Sequence, residues 1–170
     1  LIERNARRAS DLIQDLKQLT SANSQHEAQP LCLFELVEHV LQHLTIAQHH
    51  RLIQIDNRID PQLKLISYRS EIEMIVNQLI QNSLLHAFSP NAAGKIEISA
   101  IQTAEQAVML IYQDNGAGIE PAAQKRVFEP FYTSQLGRGR SGLGLYQVYS
   151  VVHGRLGGEI TLSSELAQGT

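Results

Sequence analysis

Residues 114–119 read Asp114-Asn115-Gly116-Ala117-Gly118-Ile119, and they are followed at short range by Phe128-Glu129-Pro130-Phe131 and Gly139-Arg140-Ser141-Gly142-Leu143-Gly144-Leu145. A carboxylate on a glycine turn can accept a hydrogen bond from an exocyclic amine, while Gly116 and Gly118 let the main chain lie against a flat base. A site built to pair with a buried amine rejects bases lacking it, which favours adenine over guanine. Gly137, Gly139, Gly142 and Gly144 lead into a helix start, where unpaired N–H groups and a partial positive charge suit a triphosphate. Arg138 and Arg140 can close over the terminal phosphate. Each string alone has an ordinary use as well: Asp-Asn-Gly is a turn signal and a glycine run is a linker or a plain helix start. Together and in this order they describe a nucleotide pocket, with the Phe-Glu-Pro-Phe segment anchoring a lid that is costly to order without a ligand.

A further group sits upstream. Ser70 reads as the N-cap of a helix running to about Ala87, with Ile72, Val76, Leu79 and Ser83 on one side. Gln78, Asn82 and His86 recur every four residues and share the opposite stripe. Amide oxygens can ligate Mg²⁺, which takes one or two protein ligands when it bridges phosphates.

The elements that must hold these residues are legible in outline. Ile2, Ala6, Ala9, Ile13 and Leu16 alternate four and three apart, as in a coiled-coil seam that needs a partner. Thr20 to Pro30 is polar and reads as a linker. From Phe34 to Gln48, Val37, Val40, Leu41, Leu44 and Ala47 form an apolar helical face. Arg51 to Asp56 and Lys64 to Ser67 are strand-like and are split by Asp60-Pro61. Lys95 to Ala100 alternates and Ala107 to Tyr112 is nearly all apolar, so a hairpin of one half-exposed and one buried strand is expected. Gly142 to Val152 reads as a third core helix and Gly158 to Ser163 as another strand. The predicted fold is an α/β sandwich whose mixed, largely antiparallel sheet is covered on one face by about three helices.

Composition narrows the function classes. A chain of 170 residues that is 43% apolar suits one compact domain, and a net charge of −3 gives no broad basic field for nucleic acid. The single cysteine, Cys32, cannot form an internal disulfide, so a reducing, cytoplasmic setting is the expectation. No apolar run reaches the roughly 18 to 20 residues of a membrane span, so membrane contact by this stretch is not expected.

The ordered motifs, Asn82 helix, Asp-x-Gly-x-Gly, Phe-x-Pro-Phe and Gly-Leu-Gly-Leu, with the tail His153-Gly-Arg-Leu-Gly-Gly-Glu-Ile160, resemble the catalytic ATP-binding domain of two-component sensor histidine kinases, in the GHKL superfamily. The resemblance runs from about Leu31 to Thr170. It implies Asn82 on Mg²⁺, Asp114 on the adenine amine with Gly116, Gly118 and Ile119 beside it, His86 next to the nucleotide, and a lid between Phe131 and Gly142. Arg138, Arg140, Ser141, Gly142, Leu143 and Gly144 would then meet the phosphates, and Asn82 and Gln78 would be the catalytic amides. Residues 1–22 resemble the second helix of the family's dimerisation and phosphoacceptor hairpin with the start of its linker, and 23–170 the catalytic domain lacking its last strand, whose loss would expose a sheet edge. Implied partners are the kinase's own dimerisation domain in a homodimer, and a response regulator receiver domain.

Two departures qualify the implied chemistry. The family's pocket helix carries Asn-x-x-x-Asn, and here Gln78 stands at the first position; Asn77 is one residue early and points roughly 100° away on an ideal helix. Where superfamily members hydrolyse ATP, a glutamate at this place activates water, and a neutral Gln cannot take that proton. That argues for transfer to an outside acceptor. His26-Glu27 with Pro30 resembles the phosphoacceptor box His-Glu-x-x-x-Pro, but its proline is one residue too close, so His26 reads as a linker histidine and the acceptor is expected upstream of Leu1. His39, His43, His49 and His50 read as exposed side chains. The alternatives are a degenerate, non-catalytic nucleotide-gated module, which Gln78 favours, and a serine kinase of the anti-sigma-factor type, which would lack a dimerisation helix in front.

Overall fold

A computed structural model describes residues 27–44, 52–133 and 141–170. The seam helix expected over residues 1–19 and most of the expected linker lie outside the described residues, as do Ala47, Arg138 and Arg140. The chain divides into two compact units, one of residues 28–124 with 161–170 and one containing residues 125–160.

The larger unit opens with strand β1 (Gln29–Cys32), at the end of the stretch expected to be linker, and continues into helix α1 (Leu33–His43). Strands β2 (Ile53–Asn57) and β3 (Lys64–Ser67) follow, then helix α2 (Arg69–Asn82), whose last turns continue as a wider π-helical turn over Ser83–Ala87. The hairpin is β4 (Gly94–Gln102) and β5 (Val108–Asp114), and a single turn, α3 (Pro121–Gln124), comes after it. β1 pairs antiparallel with β3, β2 runs parallel to β4, and β4 pairs antiparallel with β5. Among the described residues the strands make two sheets where one was expected: β1 and β3 form a two-stranded antiparallel sheet, and β2, β4 and β5, in the order β2-β4-β5, form a mixed sheet with helices on one face.

Alternation along the strands sorts the two faces of this sheet. Ile53, Ile96 and Ile98 are buried toward the helices, with Ile55 half-buried on the same side. Gln54 and Asp56 on β2 and Lys95 and Glu97 on β4 face the other way. There the Lys95 ammonium lies 3.2 Å from Asp56 and 2.9 Å from Glu97, and Arg58 reaches Glu97 at 3.2 Å. A hydrogen bond from Gln54, and then Lys95, hold the Asp56 carboxyl below its usual value. Asn57 at the end of β2 turns back to the helix side and donates to Glu38 Oε1 and to the Phe34 carbonyl of α1.

α1 buries Leu33, Leu36, Val37 and Val40, the i, i+3, i+4, i+7 stripe of a helix lying on a core, and packs on α2. Leu33 and Leu36 extend the face expected from the sequence, whereas Leu41 and Leu44 are only half-buried. α2 buries Ile72, Ile75, Val76 and Ile80. Ser70 is not its cap: Tyr68 holds that position, and the Ser70 hydroxyl sits in the first turn and donates to Glu71 at 2.6 Å. The hairpin reverses the expected burial. β4 lies between β2 and β5 and its Ile96 and Ile98 are 0% exposed, while β5 ends the strand order and leaves Met109 52% exposed. An apolar composition reports the residues available to a strand, and the position in the sheet decides which are covered.

In the smaller unit, helix α4 (Gly144–Ser150) continues as a π-helical turn over Val151–Arg155. It begins two residues later than read from the sequence. Residues 158–163 form no strand: their exposure alternates, but no ladder is formed there among the described residues. No helix of the described residues is long and apolar enough to cross a membrane.

Burial of β4 against exposure of β5 is measurable. Ile98→Ala should cost about 2–5 kcal/mol and Met109→Ala under about 0.5 kcal/mol in urea unfolding. Equal costs would contradict the strand order.

Candidate functional site

α2 offers its non-core side for chemistry. Gln78 and Asn82 are half-buried there and His86 is exposed. Asn82 is the last α-helical residue, and its amide nitrogen is buried with no hydrogen-bond partner. A buried amide without a partner is costly, so an arrangement that leaves one suits a group that arrives later. Beyond Asn82 the helix widens, a change often found at functional sites. In the wider turn the Ser83 hydroxyl donates to Asp114 Oδ2 at 2.7 Å, and the last carbonyl, of Ala87, accepts from Ala117 N–H at 2.8 Å. The helix end thus finds its partners in the glycine loop.

The register of the hairpin aims Asp114. Tyr112 pairs with Ile98 and Asp114 with Ile96, so both side chains of β5 stand on the helix-facing side with those two core isoleucines. The Asp114 carboxylate accepts from two donors: Ser83 O–H at Oδ2, and Gly116 N–H at Oδ1, 2.9 Å away. Tyr112 O–H donates to Ser83 Oγ at 2.8 Å. Burial pushes the Tyr112 phenol well above its ordinary value, the Asp114 charge adds to that, and the Ser83 hydrogen bond opposes it.

Two glycines let the loop close. A β-carbon on Gly116 would overlap the Ala87 side chain and carbonyl oxygen, and Gly118 combines φ +71° with a position where a β-carbon would strike the Glu165 carbonyl. The space opened by these glycines is thus used by the chain itself. Residues 164–170 complete the enclosure. Asp114 N–H donates to Thr170 O at 2.8 Å and Thr170 N–H returns to Asp114 O at 3.1 Å. Ala167 N–H donates to Ala117 O at 2.8 Å, Ile119 N–H donates to Ser164 Oγ at 2.8 Å, and Gln124 Nε2 spans the Ile119 and Ser164 carbonyls.

The smaller unit holds the remaining expected residues. Phe131 is exposed with φ +65°, an uncommon backbone for an aromatic residue. Gly142 has φ +68°, and a β-carbon there would come within 2.6 Å of the Phe131 carbonyl carbon. Ser141 Oγ accepts from Leu143 N–H at 3.3 Å, Leu143 is buried, and Gly144 opens α4. The Phe128 ring lies 5.7 Å from that of Tyr149, which stacks on His153 at 4.1 Å. The Arg126 guanidinium pairs with Glu129 at 2.9 Å and lies 4.7 Å over the Tyr132 ring.

Asn82 and Asp114 therefore lie at the end of one helical element and at the end of the strand that the element's final turn grips through Ser83. Comparison with known proteins identifies the family. Residues 68–170 match the histidine kinase-, DNA gyrase B- and HSP90-like ATPases. The chain belongs to this ATPase family. It is 30% identical to the sensor histidine kinase RppB of Synechocystis sp., over 99% of this chain and 38% of that protein. It is 31% identical to a putative sensor protein of Shewanella frigidimarina, over 99% of this chain and 25% of that one. The chain thus spans well under half the length of these relatives. Among solved structures it resembles the mycobacterial sensor histidine kinase MprB, at TM-score 0.60 and 25% identity over 74% of this chain and 78% of that one. It also shares the fold of full-length ShkA in complex with AMPPNP, at TM-score 0.78 and 22% identity over 97% of this chain and 35% of that one.

For an ATPase of this family the donor set fits a hard cation bound chiefly through phosphates. Among the described residues no group of three or more His, Cys, Asp or Glu could hold a metal ion, and the Asn82 amide, whose nitrogen is buried without a partner, also carries an oxygen of the kind such a cation accepts. Ser83 and Tyr112 were not anticipated as site residues. Their signal was present: a serine follows Asn82 on an otherwise apolar stripe, and a tyrosine precedes Asp114 by two, on the same strand face.

The raised phenol gives a pH signature. Because Tyr112 holds its proton more tightly folded than unfolded, its contribution to stability is complete below the ordinary value of 10.0 and is lost as pH rises through the higher folded value. Thermal melts from about pH 9 upward should fall more steeply for the wild type than for Tyr112→Phe. Parallel curves would refute a buried, proton-retaining phenol.

Proposed function

We propose that this domain binds Mg-ATP and donates the γ-phosphate to a histidine on the dimerisation domain of the same kinase, for two-component signalling. The observation that carries the reading is the Asp114 carboxylate, held in one orientation by donors at the end of β5, beside the helix that ends in Asn82. An anion satisfied only by donors suits an exocyclic amine, and adenine carries one.

In this reading Asp114 sets the base and Asn82 holds the cation. When bound, Mg²⁺ neutralises charge on the transferring phosphoryl group. His86, on the exposed side of the π-helical turn, borders the nucleotide, and Ser141, Gly142, Leu143 and Gly144 meet the phosphates, together with Arg138 and Arg140. Gln78 keeps an amide where a water-activating carboxylate would be needed for hydrolysis, which favours a nucleophile supplied from outside. Positioning and charge neutralisation then supply most of the catalysis. The acceptor domain, a homodimeric kinase, a receiver-domain partner and a cytoplasmic location belong to this proposal. The similarity to the sensor histidine kinase RppB supports it.

Asp114→Asn tests the base contact. Calorimetry with ATP and Mg²⁺ should find affinity reduced at least about tenfold while the circular dichroism spectrum is kept. Unchanged affinity would count against the assignment.

Transfer is tested separately, by mixing the chain with γ-labelled ATP and a helical hairpin bearing the acceptor histidine. Acid-labile label on the hairpin is expected. Acid-stable label would point to a serine acceptor, and nucleotide binding without transfer would replace the kinase by a nucleotide-gated module.

A further inference from the structure

We propose that Ser83 and Tyr112 are positioning residues that fix the orientation of the Asp114 carboxylate, and so sharpen this site's choice of a 6-amino purine over a 6-oxo purine. The inference rests on the nucleotide reading above and adds to it the residues that set selectivity.

The argument is one of proton bookkeeping along a short chain of oxygens. The Tyr112 phenol has one proton and gives it to Ser83 Oγ at 2.8 Å. Ser83, now an acceptor from the phenol, has its own proton directed to Asp114 Oδ2 at 2.7 Å. Gly116 N–H supplies the other carboxylate oxygen at 2.9 Å. Each carboxylate oxygen is thus held by a donor of the protein, which fixes the direction of its remaining lone pair, and a carboxylate has no proton of its own to offer. A 6-amino group finds a free lone pair, whereas a 6-oxo group faces acceptor against acceptor.

Position makes the chain rigid. Ser83 is 5% exposed, so its hydroxyl cannot turn to solvent, and Tyr112 is fixed by its pairing with Ile98 in the ladder. Burial also raises the phenol, so it remains a donor throughout the neutral range. Without the phenol the serine proton can rotate away, and without the serine the carboxylate loses one of its donors and is free to reorient. Both residues act through Asp114 rather than on the nucleotide.

Titration calorimetry on the 170-residue chain with Mg-ATP and with Mg-ITP, whose bases differ in the 6-substituent, decides the matter. The wild type should prefer ATP. Ser83→Ala should lower the ATP-to-ITP affinity ratio about tenfold and Tyr112→Phe about threefold, as expected for losing one hydrogen bond to a charged group or one link behind it. Ser83→Thr keeps the hydroxyl and should restore most of the ratio. A merely structural role would weaken both nucleotides alike, so an unchanged ratio in Tyr112→Phe overturns the proposal even if Ser83→Ala fails to fold. If Asp114→Asn abolishes ATP binding while Ser83→Ala and Tyr112→Phe keep the wild-type ratio, this inference alone falls. If Asp114→Asn leaves ATP affinity intact, the nucleotide reading falls and takes this one with it.

Discussion

The larger unit depends on one close approach: three stretches of chain meet at residues 114–119 with no room for a β-carbon between them. Ala87 at the end of the π-helical turn lies against Gly116, the 164–170 return lies against Gly118, and the return's last residue completes a two-bond bridge to Asp114. Each approach converts a helix-end or strand-end backbone group into a paired one. The loop that carries Asp114 is therefore braced from both sides, which is unusual for a glycine-containing turn and is what a recognition carboxylate requires. Glycine is tolerated here because tertiary hydrogen bonds offset the chain entropy it loses.

The π-helical turn is the second half of the same constraint. An α-helix continued through Ser83 would turn by about 100° per residue and point the Ser83 side chain in a different direction from the wider turn. Widening the last turn aims the Ser83 hydroxyl at Asp114 and the Ala87 carbonyl at Ala117. The widening coincides with the change from core contact to site contact along one continuous element: Ile72, Ile75, Val76 and Ile80 precede it, and Ser83 and His86 lie within it. Helix, hairpin and return are thus coupled through a few hydrogen bonds, and a change in any of them is felt at the carboxylate.

Much of this was legible in the sequence because it rests on local chemistry. The helix stripe of Gln78, Asn82 and His86, the position of Asp114 at a strand end and the hairpin all follow from periodicity and turn residues. What escaped was set by tertiary placement. Apolar β5 was expected to be the buried strand, yet β4 is central and takes the core. Gln29 to Cys32 looked like linker because its β character comes from pairing with Lys64 to Ser67, not from its own residues. Ser70 had the side chain of a cap and not the position. Ser83 sat on the apolar stripe as a small residue, and only the register of β5 against β4 reveals that Tyr112 and Asp114 converge on it.

The placement of protons separates holding a nucleotide from consuming one. Hydrolysis needs a group near the terminal phosphate with a lone pair basic enough to take a proton from water. On the pocket side of α2 the four-residue stripe offers Gln78 and Asn82, two amides that cannot do so. Asp114 is a carboxylate, but donors already hold both its oxygens, and in the proposed reading it meets the base and not the phosphates. These residues accord with the proposal that the nucleotide is held here and its phosphates left to a nucleophile from elsewhere. Under that proposal the contribution this chain makes is the fixed position of what it holds, and the bracing around Asp114 supplies that fixity.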